Sequence, residues 1–274
     1  MTRILTVQDL SCVGQCSLTA ALPIISACGI ECAVLPSAVL STHTGFSQWT
    51  FHDMTDQMRS IGAHWEKEGL TFEALYVGYL GRMGAVKCIR ELKQRILTNS
   101  ARIFLDPAMA DHGRLYSGLD QPYVEEMKAL VSDADFLLPN LTEACLLADR
   151  PFYDNMSWQE IVETVAALDS LGAKTVVLTG VSPHPENTGV LIADAKGIRS
   201  MEHPRLEHGS YGTGDVFASA FVGSIMRGKT ADEAAEIASR FTFSALETTQ
   251  QDPAHWYGVC FEKQIGQLVE MVNR

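Results

Sequence analysis

The residues best placed to do chemistry lie in one run, Gly209-Ser210-Tyr211-Gly212-Thr213-Gly214-Asp215, which leads straight into the apolar stretch Val216-Phe217-Ala218-Ser219-Ala220. Glycines let the backbone turn tightly and approach a ligand, and the first amides of the helix they open have no partner inside it. Amides so placed form an anion site. Asp215 stands beside them in the first helical turn. An acid there suits the helix dipole in any protein, but next to an anion site it is also a carboxylate that can take a proton from a hydroxyl. Together these are the minimal equipment for phosphoryl transfer.

Asn140-Leu141-Thr142-Glu143 follows the apolar run Phe136–Leu138. Asn with Glu three residues later is a capping box. Glu143 is equally a carboxylate that can organise Mg²⁺ near phosphates, usually through water, as that hard ion prefers. Asp106-Pro107, after a neighbouring apolar run, adds a second carboxylate and favours the functional reading. His43 in Ser41-Thr42-His43-Thr44-Gly45 and Tyr79 in Gly78-Tyr79-Leu80-Gly81 end two further runs. If they converge, they offer hydrogen bonds and an aromatic wall to a small heteroaromatic ring. His64, His112, His184, His203, His208 and His255 show no ligand spacing.

Gly223-Ser224-Ile225-Met226-Arg227-Gly228-Lys229-Thr230 fits the P-loop pattern letter for letter. That pattern needs a strand before it, and the residues before it carry a helical stripe instead. Gly228 is better read as a helix terminator, and Thr230 with Glu233 as the capping box of the next helix.

These residues must be positioned by strands and helices in alternation. Continuous apolar runs predict strands at Ile4–Gln8, Cys32–Leu35, Ala74–Val77, Arg102–Leu105, Phe136–Leu138 and Thr175–Leu178. A 3.6-residue period predicts helices at Cys16–Cys28, Asp53–Glu68, Ala85–Thr98, Gln121–Ser132 and Trp158–Leu171. Gly189–Ala193 and Ile198–Met201 predict an antiparallel hairpin at a sheet edge, and Tyr211–Met226, Ala231–Thr248 and Phe261–Val272 three closing helices. The expected class is α/β, a mostly parallel sheet covered on both faces. No linker or repeat divides the chain, so residues 1–274 are expected to form one domain. Ligands of such sheets bind beyond the carboxyl ends of the strands, where the polar residues above fall.

Composition narrows the partners. With 21 Lys+Arg against 33 Asp+Glu, the formal charge of -12 argues against nucleic acid or an anionic membrane, which need a basic face. No apolar run approaches the roughly 18–20 residues of a membrane span. The start turns polar too soon for a signal peptide, and the seven cysteines are odd in number, so a cytoplasmic protein with reduced thiols is expected.

Taken together, Ile4-Leu5-Thr6-Val7-Gln8, Ser41-Thr42-His43-Thr44-Gly45-Phe46 with Trp49, Gly78-Tyr79-Leu80-Gly81, Asp106-Pro107, Pro139-Asn140-Leu141-Thr142-Glu143 and Gly212-Thr213-Gly214-Asp215 resemble the pyridoxal kinases of the ribokinase-like superfamily. The resemblance implies a three-layer α/β/α fold and ATP-dependent phosphorylation of the 5′-hydroxymethyl group of a vitamin B6 vitamer: pyridoxal, pyridoxamine or pyridoxine. It makes Asp215 the base, the amides of Gly212, Thr213 and Gly214 the cradle of the transferring group, and Asp106, Asn140 and Glu143 the organisers of Mg-ATP. Thr179 would lie near the nucleotide, and His43, Thr44 and Tyr79 would line the vitamer pocket. A homodimer and a response to K⁺ are implied too. Many pyridoxal kinases carry Ser where this chain has Asp9, so a preference for pyridoxamine or another amino-substituted ring is expected. The alternatives are a hydroxymethylpyrimidine kinase of thiamine synthesis, a branch that often has Cys in place of Asp215, and a catalytically silent binding protein on the same scaffold.

Overall fold

The computed structural model describes residues 2–206 and 209–274; of the histidines noted above, His208 lies outside them. In chain order the first half contains β1 (Arg3–Ser11), α1 (Leu18–Ala27), β2 (Glu31–Leu40), β3 (Phe51–Asp53), α2 (Thr55–Lys67), β4 (Phe72–Val77), α3 (Met83–Ile96) and β5 (Leu97–Leu105). The middle contains β6 (Ala110–Asp111), β7 (Arg114–Leu115), α4 (Gln121–Val131), β8 (Phe136–Leu137), α5 (Leu141–Leu147), α6 (Trp158–Asp169) and β9 (Val176–Thr179). The hairpin β10 (Asn187–Asp194) and β11 (Gly197–Pro204) precedes α7 (Thr213–Met226), α8 (Ala231–Gln250) and α9 (Ile265–Asn273).

One sheet runs in the order β11-β10-β9-β8-β5-β4-β1-β2-β3. The six strands from β2 to β9 pair in parallel, and both edges are antiparallel. Successive side chains alternate between faces, and both faces are dry, which is why the central strands read as unbroken apolar runs. Leu5, Val7, Leu75, Val77, Val176 and Leu178 pack with α2 to α6. Ile4, Ala74, Tyr76, Phe104, Val177 and Ile192 pack with α1, α7, α8 and α9. The result is the expected three-layer α/β/α arrangement with a mostly parallel sheet and the expected edge hairpin.

Three local features differ from the sequence reading. The opposite edge is also antiparallel, because β3 pairs with Ala38–Leu40 of β2. The Asp53 carboxylate then accepts from the Thr55 amide at 2.8 Å and its hydroxyl at 2.6 Å, starting α2 two residues later than the periodicity suggested. At its far end α3 stops at Ile96, since Leu97 is extended and pairs with Phe72. Gly223–Thr230 behaves as the alternative to a P-loop predicts: it closes α7, Gly228 has φ +92°, and Thr230 and Glu233 form a capping box. No helix among the described residues is long and apolar enough to cross a membrane.

Candidate active site

A cleft of about 910 Å³ opens over the carboxyl ends of the parallel strands. Its lining includes Asp9, His43, Thr44, Tyr79, Asp106, Asn140, Glu143, Thr179, Gly212, Thr213, Gly214 and Asp215, so the residues given a site role from the sequence lie in one place. The topology does this: each side chain is on or just after a parallel strand, or at the start of a helix that faces the same edge.

Asp9 is aimed by an irregularity. The β1–β2 register slips between Gln8 and Leu10, where a bulge re-aims the side chain. Asp9 is 3% exposed and accepts the Ser11 hydroxyl at 2.8 Å and a further hydrogen bond from the Ser17 side chain. Burial nevertheless raises its pKa. The Ser17 backbone N–H goes to Asp215. To deliver it, Ser17 adopts φ 51° and ψ -125°, a conformation costing a non-glycine residue on the order of 1–3 kcal/mol. Strain at this point serves the site, because it holds Asp9 and Asp215 to one loop.

Gly212 caps α7 with φ 79°, and a Cβ there would run into the Gln15 carbonyl oxygen. Only glycine fits. The helix it starts is buried along Val216–Ile225 and packs against α1 and α8, so the amides at its mouth are rigidly held. Asp215 in that first turn is pushed up to about 7, first by desolvation and further by the charge of Asp9, against the opposing pull of the Ser17 N–H.

Across the cleft Asn140 and Glu143 form the predicted capping box, with Asn140 Oδ1 accepting the Glu143 N–H at 2.9 Å and Glu143 Oε2 accepting the Asn140 N–H at 2.9 Å. Glu143 Oε1 also accepts from Met109 N at 3.0 Å and more weakly from Ala110 N at 3.4 Å. Despite these donors, burial pushes Glu143 up to about 7. Asp106 rises well above the ordinary carboxylate value through desolvation, then through the charges of Glu143 and Asp215. Glu143 is raised further by the charge of Asp111, and buried carboxylates so close in one cleft are a poor arrangement without a cation and a good one with it. Among the described residues no group of three or more His, Cys, Asp or Glu could hold a metal.

The cleft also contains residues to which the sequence reading gave no site role. Asp111 and His112 sit on the short β6–β7 hairpin, which is pinned to α5 by Asn140 Nδ2 donating to Ala110 O at 2.7 Å and Gly113 N donating to Thr142 Oγ1 at 3.0 Å. Cys16 lies near Asp9 and Asp215, and burial with those two charges raises its thiol pKa far above the ordinary value, so it is an inert wall. Tyr116, Tyr211 and Trp256 add aromatic surface, while Thr188, His203, Thr242 and Phe243 line the end nearest the hairpin. The cluster His255-Trp256-Tyr257 was a usable signal, since consecutive aromatics outside any apolar period seldom lack a surface to cover. The hairpin-end residues carried none.

A family model described as phosphomethylpyrimidine kinase matches residues 16–259. Pyridoxal kinase PdxY of Corynebacterium diphtheriae is 28% identical over 258 residues, covering 90% of this chain and 89% of that protein. A pyridoxal kinase structure from Lactobacillus plantarum is 30% identical, with a TM-score of 0.90 over 99% of this chain and 98% of its own. A Bacteroides thetaiotaomicron structure named for phosphomethylpyrimidine kinase and solved with pyridoxal is 33% identical, with a TM-score of 0.92 over 97% and 95% of the two chains.

Proposed function

The chain belongs to the phosphomethylpyrimidine kinase family, on its pyridoxal kinase side, and we propose that it transfers the γ-phosphoryl group of ATP to the 5′-hydroxymethyl group of a vitamin B6 vitamer. The observation that carries this is the pairing of Asp215, with its pKa pushed up to about 7, and the start of α7 in one cleft with Asp106 and Glu143. A carboxylate of that basicity takes a hydroxyl proton near neutral pH far better than an ordinary one. Residues 1–274 act as one kinase domain in this reading.

Each residue then has a task set by its surroundings. Asp215 holds the substrate hydroxyl and receives its proton. The amides of Gly212, Thr213 and Gly214 face the charge that develops on the transferring group, where preorganised donors lower the barrier most. Asn140 and Thr179 border the nucleotide, with Asn140 fixing Glu143 through the capping box. Asp106 and Glu143 would hold Mg²⁺ through water, Glu143 because its oxygens already accept main-chain N–H groups, and the ion would supply charge neutralisation on the phosphates. His43, Thr44 and Tyr79 border the vitamer ring, and Asp9 faces it from β1. The K⁺ response, homodimeric state and cytoplasmic location belong to the same proposal, carried by the family resemblance.

ADP release coupled to added pyridoxal, pyridoxamine, pyridoxine or hydroxymethylpyrimidine tests it. ADP formation with a B6 vitamer is expected, and turnover confined to hydroxymethylpyrimidine would overturn the vitamer assignment. In Asp9→Ser the ratio of kcat/KM for pyridoxamine over pyridoxal should fall; an unchanged ratio removes Asp9 from specificity.

A further inference from the structure

The segment Asp252–Gly258 follows α8 and carries consecutive aromatic residues back to the cleft. His43 Nδ1 accepts the Gly45 N–H at 3.0 Å, which fixes the ring as the neutral tautomer with its proton on Nε2. That proton goes to the Tyr257 carbonyl oxygen at 2.9 Å. Both ring nitrogens are therefore committed to main-chain partners, and the imidazole has none left for a substrate. On the other flank His255 Nε2 meets Gln15 Oε1 at 2.6 Å, and Gln15 also donates to Glu262. Gly14 makes room for this, since it has φ +128° and a Cβ there would strike the His43 ring.

What the two ties hold is Trp256. Its ring lies 4.6 Å from Phe46 and 6.3 Å from Tyr211, and the Tyr211 ring lies 4.6 Å from His43. Trp256 and Tyr211 line the cleft, yet they are 51% and 49% exposed. Two large aromatic rings left half open beside a cavity gain most from a planar ligand that covers them.

Resting on the vitamer reading above, we propose that Asp252–Gly258 is a specificity element: it sets Trp256 against Tyr211 as the outer wall of the vitamer pocket, and His43 is the positioning residue that fastens it. The substrate class this selects is a flat heteroaromatic alcohol. Trp256→Ala should raise the KM for the vitamer about tenfold or more and leave that for ATP within about twofold, and Trp256→Phe should recover most of the loss. In His43→Gln the amide nitrogen falls near the Nε2 position and keeps the tie to Tyr257. In His43→Asn it falls near Nδ1 and the tie is lost. The Asn variant should reproduce the KM defect with faster amide exchange across 252–258, and the Gln variant should show neither. An unchanged vitamer KM in Trp256→Ala, or unchanged exchange in His43→Asn, overturns the proposal. Equal KM defects in both His43 variants with normal exchange would make His43 a ligand and overturn its positioning role. Should the wild type turn over only hydroxymethylpyrimidine, the vitamer reading falls, and the same KM comparison on that pyrimidine still decides whether Trp256 is the wall.

Discussion

Among the described residues α5, α6, α7 and α8 each carry an acid three residues after the helix cap, and these four fall into two pairs that behave in opposite ways. Glu160 in α6 and Glu233 in α8 complete capping boxes with Ser157 and Thr230, and those hydrogen bonds pull their pKa values below the ordinary carboxylate range. Glu143 in α5 completes the same capping box with Asn140, yet it rises to about 7, as does Asp215 in α7. Local sequence does not separate the pairs, since Asn140-x-x-Glu143 and Thr230-x-x-Glu233 are the same signal. Topology does. Helix α5 begins at the carboxyl end of β8, and α7 begins at the same edge of the sheet, so their first turns face the cleft. Helices α6 and α8 each follow another helix and begin on the solvent side. The lesson is that a cap becomes part of a site when its helix starts where strands end and desolvation outweighs the cap's own donors.

The largest test of this division is catalytic. Asp215→Asn should lower kcat by about 10³-fold or more, because the variant keeps an acceptor for the Ser17 N–H and loses the base. Glu160→Gln, also in a first turn, should leave kcat unchanged. In the wild type, kcat/KM should fall on the acid side of about pH 7, where Asp215 becomes protonated. Turnover by Asp215→Asn within tenfold of wild type would place the base elsewhere and erase the distinction between the two kinds of first turn.

A smaller effect separates the two matched capping boxes. Glu143→Gln should reduce kcat/KM for ATP by about 10–100-fold and raise the Mg²⁺ concentration needed for half-maximal rate, since it removes one of two mutually repelling carboxylates that a cation neutralises. Glu233→Gln removes the charge from an equivalent capping box and should change neither. Equal kinetic behaviour of the two variants would mean that Glu143 is a cap and nothing more.

What the sequence revealed follows the same line. The six central strands were legible because burial on both faces makes them continuous apolar runs, and the residues just after them located the cleft. β3 escaped because three residues, Phe51-His52-Asp53, are too few to show a period, and β6–β7 because two-residue strands leave none. The α3–β5 junction escaped because no turn residue separates Ile96 from Leu97. Within the site, the loop Gly14–Ser17, and the place where the aromatic run His255-Trp256-Tyr257 docks, were hidden for another reason. Their placement depends on positive φ at Gly14, Gln15 and Ser17 and on contacts such as Gln15 with His255, 240 residues apart. Neither leaves a mark in local spacing.

The smallest effect is thermodynamic, and its sign differs between the two pairs. Asp215 has a folded-state pKa of about 7 against an ordinary 3.8, so the folded protein binds its proton more tightly than the unfolded chain does. Its contribution to stability is fully present in acid and is lost as the pH rises through about 7. Glu233 is held below its ordinary 4.5, so its contribution is present above that value and lost as the pH falls. At pH 8, therefore, Asp215→Asn should raise Tm by about 3 °C, because it removes a charge that the fold holds at a cost, while Glu233→Gln should lower Tm by about 1–2 °C. At pH 5 the Asp215→Asn difference should shrink to less than about half without vanishing, since the folded carboxyl is then neutral while that of the unfolded chain, at its ordinary 3.8, is still ionised, and the Glu233→Gln difference should persist. Calorimetry at the two pH values reads both. If Asp215→Asn lowers Tm at pH 8, Asp215 is a stabilising cap like Glu233, and burial has not set it apart for chemistry.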